Sequence, residues 1–217
     1  MRCIFCKNPS HLSYSAEHII PESLGNIEHT LPKGIVCDSC NNYFSRKVEK
    51  PLLDSPIMRL LRNNRQIQNK RGRIPKFEMS EIAKLPDYRV MSRFITKAAL
   101  EALAFKTLLV AESKLEIVEK VELDALRNYS RYNRGETWPF SYRTLYPVNA
   151  VFDEGNTYYE VLHEFDFLYT EAMELYFILA IFGVEFTVNL GGPNIDGYLK
   201  WLKLNSYASP LYKNNTP

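Results

Sequence analysis

Cysteine is scarce in this chain: four occur in 217 residues, at positions 3, 6, 37 and 40. None is left over to staple a second region, which favours a reducing cytoplasm over a secreted disulfide scaffold. Long apolar runs are missing too. The longest, residues 175–184, is too short to span a bilayer, so no membrane partner is expected. A charged-then-apolar leader is absent from the first residues. Charge of one sign is not in excess either. Twenty-seven Lys and Arg against twenty-five Asp and Glu give a net charge of +2. Affinity for nucleic acid must therefore come from local clusters and not from the overall field. Repeats and low-complexity tracts are also lacking. What remains is an ordinary globular composition, long enough for one or two domains with a real core.

The four cysteines form two Cys-x-x-Cys pairs, Cys3/Cys6 and Cys37/Cys40. Each pair can present both sulfurs to one metal, and two pairs complete a tetrahedral zinc site. Four thiolates leave no open position on the metal, so this zinc is structural. Thirty residues separate the pairs. That insert must form its own element, and it carries Glu17-His18.

The remaining pattern predicts an α+β chain. Residues 13–20 read as a short strand ended by Pro21 and the Gly25-Asn26 turn, and Gly34-Ile35-Val36 as a second strand delivering Cys37. Helical spacing begins at Asp38, with Pro51 and Pro56 suited to the first turns of helical pieces. Residues 90–111 form the clearest helix, with Met91, Phe94, Ile95, Ala98, Ala102 and Phe105 at three- and four-residue steps. A further helix is expected over 116–130. Antiparallel strands follow over 142–151, 158–169 and 175–190, with turns at Gly155-Asn156 and Phe182-Gly183. From Lys213 the tail is polar. These signals divide the chain into a unit at 1–62, a basic linker at 63–89 and an α+β C-terminal domain at 90–217.

Cys-x-x-Cys, then Glu17-His18-Ile19-Ile20-Pro21-x-Ser23-Leu24-Gly25, then Cys-x-x-Cys-Asn41 resembles the HNH endonucleases, in their four-cysteine zinc branch. The resemblance covers the first quarter of the chain. It implies a ββα-metal core in which His18 activates the attacking water while Glu17 and Asn41 hold a divalent cation. Asn42 is the alternative to Asn41. A carboxylate and an amide suit magnesium or manganese, whose remaining positions go to water and phosphate oxygens. On a regular strand Glu17 and His18 face opposite ways, so a bend is required there. The chain departs from the family pattern at Pro32, where an Asn commonly fixes the loop that orients the histidine. Asn26 and His29 are the available substitutes.

Residues 59–76 hold seven basic side chains and no acidic one: Arg59, Arg62, Arg65, Lys70, Arg71, Arg73 and Lys76. With Arg46 and Lys47 they are the candidate phosphate contacts. The bland alternative is a solvated linker. Tyr142, Tyr146, Tyr158, Tyr159, Tyr169, Tyr198 and Trp201 are available for base stacking, although an aromatic-rich sheet core is the preferred account of them. Together these features lead to the expectation of a metal-dependent DNA endonuclease, suited to restriction or phage defence. Its C-terminal domain would serve recognition, a partner protein or a homodimer. The alternatives are an RNA-directed nuclease and a non-catalytic zinc module that binds nucleic acid or protein.

Overall fold

The computed structural model describes residues 1–69, 71–77, 86–110, 116–145, 150–152, 158–160 and 163–212. Lys70, Tyr146, the Gly155-Asn156 turn and Lys213 lie outside these residues. The chain is a mixed α+β protein. It separates into two compact units, Met1–Thr137 and Trp138–Pro217.

The first unit opens with the Cys3/Cys6 knuckle. Strand β1 (Glu17–His18) pairs antiparallel with β2 (Thr30–Leu31), Glu17 opposite Leu31 and His18 opposite Thr30. Helix α1 (Asp38–Phe44) follows, so two strands and a helix appear in the order that the motif implies. Both strands differ from the sequence expectation. β1 is short because the chain before it is held by a side chain: the Ser15 backbone N–H donates to Asp38 Oδ1 at 3.0 Å, and the Ser15 hydroxyl donates to the same oxygen. The second strand lies at 30–31 and not at 34–36. Gly34 has φ +88°, and a Cβ there would stand 2.9 Å from the Ser10 carbonyl. Residues 33–36 therefore make a tight turn, pinned by a Ser10 hydroxyl bond to the Gly34 carbonyl at 2.6 Å.

After α1 the helix widens into a π-helical turn, Ser45–Glu49, and continues as α2 (Lys50–Leu53) and α3 (Pro56–Asn64). Pro51 sits in the first turn of α2, and Pro56 in that of α3, where a missing N–H costs nothing. Helix α4 (Tyr88–Val110) is the centre of this unit. Every residue from 91 to 100 is buried, polar ones included. The helix packs against β2, the π turn, α2 and α5 (Asp124–Tyr132). Only the last part of the expected 116–130 helix is α-helical, since short 3-10 turns occupy 116–118 and 121–123. Asn133 ends α5 in the left-handed conformation, φ +57°. Residues 88–132, grouped by sequence with the C-terminal part, thus belong to the same compact unit as the cysteines.

The second unit contains β3 (Ser141–Thr144), β4 (Ala150–Phe152), β5 (Tyr158–Glu160), β6 (His163–Tyr169), β7 (Leu175–Ile181) and β8 (Val184–Asn189). The main sheet runs β3-β8-β7-β6, all antiparallel, and β4 pairs with β5 alone. Phe182 and Gly183 both have positive φ, as a tight β7–β8 hairpin requires. Helix α6 (Asp196–Leu204), not anticipated from sequence, sets Tyr198 and Leu202 against Leu168, Tyr176 and Ile178. The buried Glu185 carboxylate accepts from Tyr198 Oη at 2.6 Å and Arg143 Nε at 2.7 Å. Tyr198 is thus core, whereas Tyr142 is exposed and Trp201 half-buried. No described helix is long and apolar enough to cross a membrane.

Candidate active site

The four cysteines converge. Their sulfurs all lie within 4.8 Å of one another, with Cys6 and Cys37 3.7 Å apart. Zinc–sulfur bonds of about 2.3 Å place tetrahedral sulfurs roughly 3.8 Å apart, so the cluster fits one zinc ion. Backbone N–H groups orient it: Cys37 N–H points at Cys3 Sγ and Cys40 N–H at Cys37 Sγ, both at 3.4 Å. The thiols perturb one another as a crowded set does. Cys3 is drawn down to about 5, chiefly by a hydrogen bond from Cys40, while burial pushes Cys6 up to about 11. Helix α5 adds two arginines that sequence reasoning missed. Arg131 Nε donates to Cys40 Sγ at 3.1 Å while its guanidinium stacks 3.8 Å over the Tyr43 ring. Arg127, almost fully buried, donates to the Ile4 carbonyl inside the first knuckle at 2.7 Å.

A cleft of about 640 Å³ opens beside this cluster, bordered by Glu17, His18, Asn41, Ser45, Arg46 and Glu49 among others. Glu17 and His18 both border it, although Glu17 is almost fully buried. His18 is half-buried, with Nδ1 3.4 Å from Thr30 Oγ1 across the strand pair. Asn41 donates its amide nitrogen to the Ala16 carbonyl at 3.2 Å, which ties α1 to the start of β1. Asn42 is exposed and does not border the cleft.

Asn26 holds the loop between the strands. It is fully buried. Its Nδ2 donates to the carbonyls of Ile20 at 2.8 Å and His29 at 3.1 Å, while its Oδ1 accepts from the N–H groups of Glu28 and His29. All its polar valences are spent on fixing the chain that follows His18. Of the two substitutes for an Asn at position 32, Asn26 has this geometry; the His29 ring instead packs edge-on to Phe105.

Lys97 was not foreseen. It is fully buried on α4, and its ammonium contacts Glu17 at 2.7 Å, Glu49 at 2.8 Å and Glu101 at 2.9 Å. The His18 carbonyl lies 3.3 Å away. Burial opposes its charge, but the acidic groups around it, the Glu17 and Glu49 carboxylates at the cleft among them, outweigh burial and hold Lys97 protonated. Glu101 is pushed well above the usual carboxylate range by burial, against the pull of Lys97. The π turn explains how Glu49 arrives. Eight residues of α-helix would leave Glu49 about 80° around the axis from Asn41. The wider turn rotates less per residue and returns Glu49 to the Asn41 side.

The basic residues divide. Arg46, Arg62 and Arg71 border the cleft. Arg62 is 5% exposed, and burial lowers the affinity of its guanidinium for the proton. Lys47, Arg73 and Lys76 are exposed away from the cleft, and Arg59 and Arg65 are half-buried.

A four-cysteine cluster that could hold a metal stands against a ββα element, with an acid, a histidine and an amide on one cleft. Residues 3–56 match the family model described as HNH endonuclease, which places this N-terminal segment in that family. Comparison with curated proteins and with solved structures found no similar chain.

Proposed function

We propose that the N-terminal unit is a metal-dependent endonuclease that hydrolyses phosphodiester bonds in DNA. The reading is carried by one observation: Glu17, His18 and Asn41 border a single cleft within the segment matched by the HNH family. His18, in the tautomer that donates its Nδ1–H to the Thr30 hydroxyl oxygen, takes the proton of the attacking water at Nε2. Glu17 and the Asn41 amide oxygen supply hard donors suited to magnesium or manganese. When bound there, such a cation supplies charge neutralisation at the scissile phosphate and at the leaving 3′ oxygen. Arg46, Arg62 and Arg71 hold neighbouring phosphates, giving affinity and register without base choice. Ends with a 5′-phosphate and a 3′-hydroxyl are expected. The four cysteines bind a structural zinc and take no part in the chemistry.

Nicking of supercoiled plasmid in magnesium or manganese tests this, with RNA digested in parallel to fix the substrate class. His18→Ala should slow cleavage by about 10²–10⁴-fold while zinc content and DNA binding stay near wild type. Cleavage by that variant at the wild-type rate would move the base elsewhere. Restriction of incoming phage DNA is the proposed setting. Phage plating on cells expressing the intact protein or His18→Ala tests it, and equal plating on both would dismiss it.

A further inference from the structure

We propose that Lys97 is a positioning residue of this active site, holding Glu17 and Glu49 in register from beneath the cleft. The proposal rests on the reading of Glu17 as a cation-holding carboxylate. It goes beyond the family-matched segment, which ends at residue 56, forty-one residues before Lys97.

The geometry carries it. Lys97 is fully buried, yet its ammonium meets two of the four carboxylates that border the cleft, Glu17 and Glu49, at 2.7 and 2.8 Å. The same nitrogen lies 3.3 Å from the backbone carbonyl of His18. One group therefore fixes the acid, the backbone of the adjacent base, and the carboxylate delivered by the π turn. Phe44, 5.8 Å from the ammonium, and Glu101, 2.9 Å away, close the far side. Glu101 does not border the cleft, so it serves Lys97 and not the substrate. β1 is two residues long and has little ladder of its own to hold Glu17. A buried cross-link to the central helix supplies what the short strand lacks. Groups that orient a metal ligand typically change metal affinity or activity about 10- to 100-fold when removed.

The sign of the effect separates positioning from plain electrostatics. Removing an ammonium beside a cation site strengthens cation binding if charge alone matters. If Lys97 positions Glu17, its removal weakens binding.

The test titrates Mn²⁺ into the zinc-loaded full chain, following free Mn²⁺ by electron paramagnetic resonance. Lys97→Met should bind Mn²⁺ about 10- to 100-fold more weakly than wild type, with zinc content and metal-free DNA affinity unchanged. The Mn²⁺ concentration for half-maximal plasmid cleavage should rise by the same factor. Lys97→Gln, which keeps a hydrogen-bond donor, should fall between the two, and it decides the matter if Lys97→Met does not fold. Equal or tighter Mn²⁺ binding by a folded variant overturns the proposal, as does a wild type that binds no Mn²⁺. Failure of both variants to fold assigns Lys97 to the core alone and overturns it too. Weaker Mn²⁺ binding in the variant, with no DNA cut even by wild type, would sustain the positioning role and reject the nuclease reading instead.

Discussion

Asn26 makes four hydrogen bonds from a fully buried side chain, and the one to the Ile20 carbonyl is itself buried. Asn26→Ala should destabilise the first unit by about 2–4 kcal/mol, since two carbonyls and two N–H groups lose their partner together. Cleavage should fall along with stability, because the loop it fixes follows His18. A thermal melt matching wild type would show that the loop holds itself. Glu101 leads to a test of pH. Its carboxyl is held above the usual range by burial, so the folded protein keeps a proton that the unfolded chain releases near pH ~4.3. That contribution to stability is whole below this pH and is lost as pH rises toward the folded value. Glu101→Gln removes the titration. As pH rises above the unfolded value, the Tm of wild type should therefore fall relative to that of the variant. Parallel curves would locate the titration elsewhere. At this scale the cysteines and Glu17-His18 were legible because their meaning lies in spacings of a few residues. Lys97 was not. On a helix a lysine reads as solvent-facing, and its partners Glu17 and Glu49 are remote in sequence.

At the scale of elements, the polar side of α4 is the instructive case. Periodicity located the helix well but left its polar residues for solvent. In the structure they are buried against partners: Tyr129 donates to Ser92 at 2.8 Å, and Arg93 donates to the Ser130 carbonyl at 2.9 Å and to Tyr43 at 2.7 Å. Hydrophobic pattern alone cannot tell a solvated polar face from one matched by another element. The strand expected at 34–36 failed for a local reason, the left-handed Gly34, while α6 did carry a readable signal in Tyr198, Trp201 and Leu202 at steps of three and one. The basic stretch 59–76, which begins inside α3, reads differently in three dimensions, since Arg62 is buried at the cleft whereas Arg71 and Arg73 are exposed. Replacing Arg71 by Gln should reduce the slope of log K against log salt by roughly 1, at about 0.9 per phosphate on duplex DNA, whereas Arg73→Gln should leave it unchanged. An unchanged slope for the Arg71 variant would make this stretch a solvated linker.

For the molecule as a whole, the active-site unit is more than twice as long as its recognisable motif. Residues 1–137, expressed alone, should bind zinc and melt cooperatively, because α4 and α5 lie in the same compact unit as the cysteines. Residues 1–62, the boundary that composition suggests, should not. They lack Lys97 opposite Glu17 and Arg127 opposite Ile4, and they forfeit the core side chains of α4. A folded, zinc-binding 1–62 fragment would show that the knuckles suffice. The cysteine pairs marked the loops that converge, but nothing in residues 1–62 announces that a helix some thirty residues further on packs against them.

The cross-link from Lys97 also orders events during synthesis. His18 and Lys97 are 79 residues apart. At roughly 5–20 residues per second, a ribosome needs on the order of ten seconds to travel between them. For that interval the nascent chain carries Glu17 and His18 with no ammonium to seat them. On the proposed reading, the cutting centre is therefore assembled only after most of the first unit has emerged.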